Sequence, residues 1–224
     1  MSPLLDSAVL NNAEWCDLIA RLNGVETGWT AELWQARSDM PPAYPRAITL
    51  RPGVRSLPRL QPGSGIKDSF ADLRDERLEL LFEAQWIGLS SQQGGDTSGT
   101  ALGWRQVDPE EFPAWRSAHG EADGLLPTLL EPPDVRVLAL PAGEHDGGSA
   151  GGAVLNLAAG AIGISNVFLT DVDAAAAWRG LAQAARAHFG DLPLVGYESG
   201  DALEPALRAG FTPLGPLRVW LTEA

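Results

Sequence analysis

GGAVLNLAAGAIGISNVFL, residues 151–169, decides how this chain is to be read. Leu155 and Leu157 alternate with small or polar neighbours, residues 158–161 supply a turn, and Ile162, Ile164, Asn166 and Phe168 alternate again on one face. That pattern predicts two strands joined tightly. The following AAAAWRGLAQAARAHF changes period: Trp178, Leu181, Ala182, Ala185 and Phe189 make one apolar stripe of a helix, with Asp173 placed to cap it and Gly190 to end it. Residues 193–197 are a short apolar strand. Asp201 stands where it would cap the helix ALEPALRA, Gly210 closes it, and residues 211–214 and 217–221 read as a last strand pair.

Working back towards the start, residues 135–140 form a strand that the loop PAGEHDGGSAGG joins to the one beginning near Ala153, as in an antiparallel hairpin. Residues 101–107 are a further strand. Asp108 is placed to cap a helix with Pro109 at its first position, Glu110 and Glu111 in its first turn and Gly120 at its end; a shorter helical piece covers residues 125–130. Residues 77–89 read as a strand with Leu78, Leu80, Phe82, Ala84 and Trp86 on one face, followed by a polar loop, SSQQGGDTSGT. Residues 6–23 are an amphipathic helix burying Val9, Ala13, Cys16, Ile19 and Ala20. Between residues 25 and 65, six prolines exclude a long helix or a central strand, and Trp29, Trp34 and Tyr44 make this an arm that packs on the following domain or lines a pocket. The expected organisation is an N-terminal helix and Pro- and aromatic-rich arm over residues 1–75 and a main domain over residues 76–224.

The balance of 29 acidic against 16 basic residues gives a net charge of -13, which repels phosphate backbones and argues against nucleic acid as a partner. Lys67 is the only lysine. A single cysteine, Cys16, excludes an internal disulfide and a multi-cysteine zinc site, and the three histidines lack metal-ligand spacing, so no metal is expected. No basic leader precedes an apolar run and no window is apolar enough for a membrane span, so a cytoplasmic protein without membrane association is expected.

From Ala101 onward the order is strand, two helices, three antiparallel strands, helix, strand, helix, strand pair, closing on AGF and TPLGPLRVWL. This resembles the GNAT superfamily of N-acyltransferases. The resemblance implies an α/β (α+β) fold: a mixed, mostly antiparallel sheet flanked by helices, here preceded by the N-terminal helix and arm. It also implies a V-shaped cleft that holds the pantetheine arm of acetyl-CoA. Asn166, Val167, Phe168 and Leu169 would form one side of that cleft, residues 195–198 the other, and Ala174 and Ala175 would open the helix near the pyrophosphate. The usual glycine-rich pyrophosphate motif is replaced by LTDVDAAAAWRG, where Asp171 and Asp173 oppose a phosphate and Gly180 falls inside the helix, suited to close packing. Ala206 occupies the position of the family's common proton-donating tyrosine.

Glu198, at a strand tip beside the cleft, is the candidate general base, against the plain reading of a solvated strand-end acid. Tyr197 is the nearest alternative phenol, against the reading of a strand aromatic bonded to backbone. Two functions follow from the resemblance. One is acyl-CoA-dependent N-acetylation of a small amine. The other is a non-catalytic domain of this fold that binds a small molecule or protein partner. Oligomeric state is not encoded in any feature above.

Overall fold

A computed structural model describes residues 2–57, 59–91, 100–120, 122–142 and 149–223. Its helices are α1 (Pro3–Leu22), α2 (Phe112–His119), α3 (Ala174–Phe189) and α4 (Leu203–Arg208). The strands are β1 (Thr27–Trp29), β2 (Leu33–Ala36), β3 (Ala47–Thr49), β4 (Gly65–Asp68), β5 (Leu78–Leu89) and β6 (Arg105–Gln106), then β7 (Val135–Pro141), β8 (Ser149–Ala158), β9 (Ala161–Leu169), β10 (Leu194–Glu198) and β11 (Thr212–Thr222). All eleven join one sheet in the order β1-β2-β3-β4-β11-β5-β10-β9-β8-β7-β6, and only β3–β4 and β9–β10 pair parallel. This is the mixed, mostly antiparallel architecture expected.

The β8–β9 hairpin forms because Ala159 and Gly160 both take positive φ, 50° and 71°, in a two-residue turn of the kind whose twist matches the strands. Helix α1 crosses one face of the sheet and buries Ala8, Val9, Ala13, Cys16, Ile19 and Ala20. Buried Asn11 pins it there: its amide donates to the carbonyls of Ala158 at 3.0 Å and Ala161 at 3.1 Å, while its oxygen accepts from the Asn156 amide at 3.1 Å. Helices α3 and α4 cover the other face, where Trp178, Leu181, Ala185 and Ala206 pack on Ile87, Leu89, Leu155 and Ile162. Asp173 caps α3 by accepting from the Ala176 amide at 3.0 Å, and Gly190 ends it with φ of 85°. Asp173→Ala therefore lowers stability by about 1 kcal/mol, read from urea unfolding; an unchanged midpoint would remove the cap from the account.

Several local expectations are corrected. The proline-rich arm does more than pack on the domain, since β1 to β4 extend the sheet beyond β11 in runs of three or four residues that fit between the prolines. Of its aromatics, Trp34 is fully buried, while Trp29 is 44% exposed with its indole N–H donating to Asp17 at 3.2 Å. The closing strand pair is one strand, β11, interrupted by a bulge at Leu214 and paired with β4 and β5. Neither Asp108 nor Asp201 caps a helix through its side chain. Helix α2 begins after Glu111, whose carboxylate pairs with Arg105, and a 3-10 turn over Gly200–Ala202 precedes α4. Residues 127–130 form a single 3-10 turn. The strand expected over residues 101–107 shrinks to β6, because the chain before it lies on α3 instead: the Leu102 amide donates to the Ala176 carbonyl at 3.2 Å and the Trp104 indole to that of Ala177 at 2.9 Å. Most of the polar loop at 90–100 and His145 lie outside the described residues.

Candidate active site

The parallel partners β9 and β10 register at only two residue pairs, Ile162 with Leu194 and Gly163 with Val195. At the next step a Cβ on Gly196 would lie 2.8 Å from the Ile164 carbonyl oxygen, so the two backbones are still close. Beyond it they separate. On its other edge, β9 carries two residues, Asn166 and Val167, opposite the single Ala153 of β8, and Asn166 takes φ of 54°. This bulge turns β9 away from β10, leaving facing strand edges without a partner strand. A cleft of about 230 Å³ fills the opening, walled by Ser165, Asn166 and Val167 on one side and by Tyr197 and Glu198 on the other. Asn12, Trp15 and Cys16 of α1 close it above, with Tyr44, Lys67 and His119 completing the rim.

Of the residues expected to hold a cofactor, Asn166 and Val167 line the cleft. The bulge sends the other two elsewhere. Phe168 does not continue the face of Ile162 and Ile164: it packs edge-on against Trp115 and His119, with ring centroids 5.4 and 5.5 Å away. Leu169 packs with the α3-side cluster. Ala174 and Ala175 occupy the first turn of α3, whose Ala176 amide the Asp173 carboxylate already engages. Asp171, exposed and with φ of 52°, stands two residues before that cap.

The Glu198 carboxyl forms no hydrogen bond or ion pair among the described residues, and burial pushes it from 4.5 up to about 8. A partly buried, unpaired acid of this kind is matched to taking a proton near neutral pH. Tyr197 is edge-on to Trp86, with centroids 5.5 Å apart, and its ring face meets the Lys67 ammonium at 4.2 Å. Its hydroxyl makes no backbone hydrogen bond among the described residues, contrary to the plain reading of a strand aromatic. Cys16 is buried and its thiol is pushed up to about 11 by burial, against the pull of the Lys67 charge, which fits packing and not nucleophilic attack. Burial also raises the Tyr44 phenol. Its hydroxyl has no hydrogen bond of normal geometry among the described residues, although Asn166 and Trp15 stand near enough to favour the ionised form.

Lys67 was not legible as a site residue, and Tyr44 only as one of three arm aromatics that pack on the domain or line a pocket. Both lie in the arm, more than ninety residues from β9 and β10, and only the extension of the sheet through β4 brings them to the cleft. For Lys67 the one signal was that it is the sole lysine of an acidic chain. No group of metal-ligating side chains occurs among the described residues, and no helix there is long and apolar enough to cross a membrane.

No family model matches the sequence, and no curated protein matches it. Solved structures do match. A GCN5-related N-acetyltransferase from Kribbella flavida is 14% identical, with 95% of each chain covered and a TM-score of 0.61. A putative acetyltransferase of the GNAT family from Novosphingobium aromaticivorans is 12% identical over 100% of each chain at a TM-score of 0.58. A GCN5-related N-acetyltransferase from Sphaerobacter thermophilus is 14% identical, covering 71% of this chain and 59% of its own, at 0.52. With its splayed β9 and β10 and helices on both faces of the sheet, the chain has the fold of the GNAT superfamily.

Proposed function

We propose that this protein is an acyl-CoA-dependent N-acyltransferase that acetylates a small amine. The observation that carries the reading is Glu198, partly buried and with its carboxyl unpaired among the described residues, facing the open end of two strands that have just parted. The open strand edges at Asn166 and Val167 fit an extended pantetheine arm, because main-chain groups there lack a partner strand. The N-terminus of α3 fits the far end less well, since Asp171 and Asp173 set negative charge where phosphates would approach. Binding thus rests mainly on the thioester end.

Acetyl-CoA would supply the acetyl group as a thioester. Glu198 accepts the proton that the amine loses as its nitrogen bonds to the acyl carbon, and the strand-end amides near Val167 hold the carbonyl oxygen as charge develops on it. Tyr197 is the phenol on the cleft wall from which a proton returns to the departing sulfur. Asp173 keeps its role as a helix cap throughout.

Titration with acetyl-CoA tests the reading directly. We expect saturable heat with Kd between roughly 10 μM and 1 mM, in the usual range for enzyme substrates, and a rise in Tm. Neither heat nor thermal shift at millimolar acetyl-CoA would refute it. That result would favour a non-catalytic domain whose cleft serves a small molecule or protein partner, the reading that the two aspartates before α3 support.

A further inference from the structure

On the arm side the cleft adjoins a larger cavity of about 660 Å³, and Ala43, Tyr44, Pro45, Lys67 and Tyr197 line both. That volume lies in the range of small-molecule sites, roughly 300–1,000 Å³. Its walls are largely apolar, with Met40, Leu81, Phe82, Val219 and Leu221 among them. The charged groups on it are cationic, apart from Asp39.

Lys67 is 3% exposed, yet no carboxylate among the described residues lies within ion-pair distance of its ammonium. One hydrogen bond, to Asn12 Oδ1 at 2.8 Å, and the face of Tyr197 are the contacts that hold it. The neighbouring Asp68 offers no charge partner: its carboxylate accepts from the amides of Phe70, Asp72 and Leu73 and from the Trp220 indole. A buried cation with donors to spare is disfavoured until an anion joins it. Arg46 stands on the same side. Lys67 of β4 registers with Ile48 of β3, so Arg46, two residues before Ile48, projects from the same face. Its Nε is buried without a partner among the described residues, while its outer nitrogen meets the exposed Asp39 at 3.0 Å.

From these groups we infer that the acceptor is an amino acid with an apolar side chain, its carboxylate held by Lys67 and Arg46, its side chain in the apolar cavity and its amine directed to Glu198. The amine end of this assignment rests on the acyltransferase reading; the carboxylate end does not. The whole-protein charge favours such a ligand over a simple anion. A chain of net charge -13 repels an anion at long range, whereas a zwitterion carries no net charge and meets the two cations only inside the cavity.

Calorimetry without acetyl-CoA, with L-phenylalanine and L-leucine against the decarboxylated amines 2-phenylethylamine and 3-methylbutylamine, tests this. The wild-type protein should bind each amino acid at least tenfold more tightly than its amine. Lys67→Met should bring the two within threefold, and Lys67→Arg, which keeps the charge, should retain most of the difference. Equal affinity for acid and amine in the wild-type protein, or binding of neither amino acid at millimolar concentration, overturns the assignment, and this comparison stands even if Lys67→Met does not fold. Lysine-dependent binding of the amino acids with no acetyl transfer to them, while acetyl-CoA binds, upholds the carboxylate site and overturns the amino acid as acceptor; the same result with no acetyl-CoA binding sinks the acyltransferase reading. Acetylation of both amines and amino acids with equal KM does the reverse.

Discussion

Glu198→Gln is expected to lower kcat/KM for acetyl transfer by roughly 10²- to 10⁴-fold, the range for removing a general base. Wild-type activity should rise with pH through about 8, because burial has raised the carboxyl to that value and the base works only when ionised. The glutamine variant should lose that limb. The same shift carries a stability signature with the opposite direction. Between 4.5 and about 8 the folded chain holds a proton that the unfolded chain releases, so this contribution is full below 4.5 and is lost as pH rises through about 8. After a discount for the part of the side chain that reaches solvent, the wild-type protein should be less stable than Glu198→Gln at pH 9 by an amount on the order of 2 kcal/mol. Urea unfolding at pH 5 and pH 9 reads that difference without substrate. A variant with activity within threefold of wild type, and the same pH dependence of unfolding, would return Glu198 to the role of a solvated strand-end acid.

The second large effect belongs to Gly180→Ala. In an exposed helix this change stabilises by about 1 kcal/mol, through backbone entropy. In α3 the added Cβ would lie 1.8 Å from the Leu102 carbonyl oxygen and 2.8 Å from its carbon, both backbone atoms that cannot rotate aside. The segment before β6 would have to lift, breaking the bonds from the Leu102 amide and the Trp104 indole to α3. Overpacking and two lost hydrogen bonds outweigh the helix gain, so we expect a net loss of about 2–4 kcal/mol. Chemical denaturation decides it: stability equal to or above wild type would mean that the 100–104 segment does not dock on the helix.

Gly180 also shows how far a sequence reaches. Its displacement into the helix marked it for close packing, and the structure supplies the neighbour, Leu102, which no periodicity could name. The stripe of α3, its Asp173 cap and the two-residue turn before β9 were likewise readable, because each rests on neighbours within a turn or two of chain. The alternation rules failed where a single residue bulges. At Leu81, β5 skips a partner between Phe82 with Val219 and Leu80 with Trp220, so Leu80 and Leu81 are both exposed and the one apolar face expected from Leu78 to Trp86 is broken. At Asn166, the same device sends Phe168 to α2 and opens the cleft. A bulge is invisible to a period of two because it costs only one residue and is fixed by what the partner strand and the covering helix require.

Glu198 could be nominated from its place at a strand tip, but not its raised proton affinity, which comes from burial beneath elements far away in the chain. The sequence by itself determined the order of helices and strands from β7 to α4, the Asp173 cap and the glycine stops, the lone lysine and the strongly acidic balance, since these depend on local conformation and on counting. Tertiary structure alone decided that β5 enters between β10 and β11, that the arm extends the sheet, and that Lys67 is buried beside the cleft with no counter-ion among the described residues. The physical reason is that strand neighbours and desolvation are set by non-local pairing, and a chain's local pattern fixes which face of a strand is apolar but not which strand it will meet.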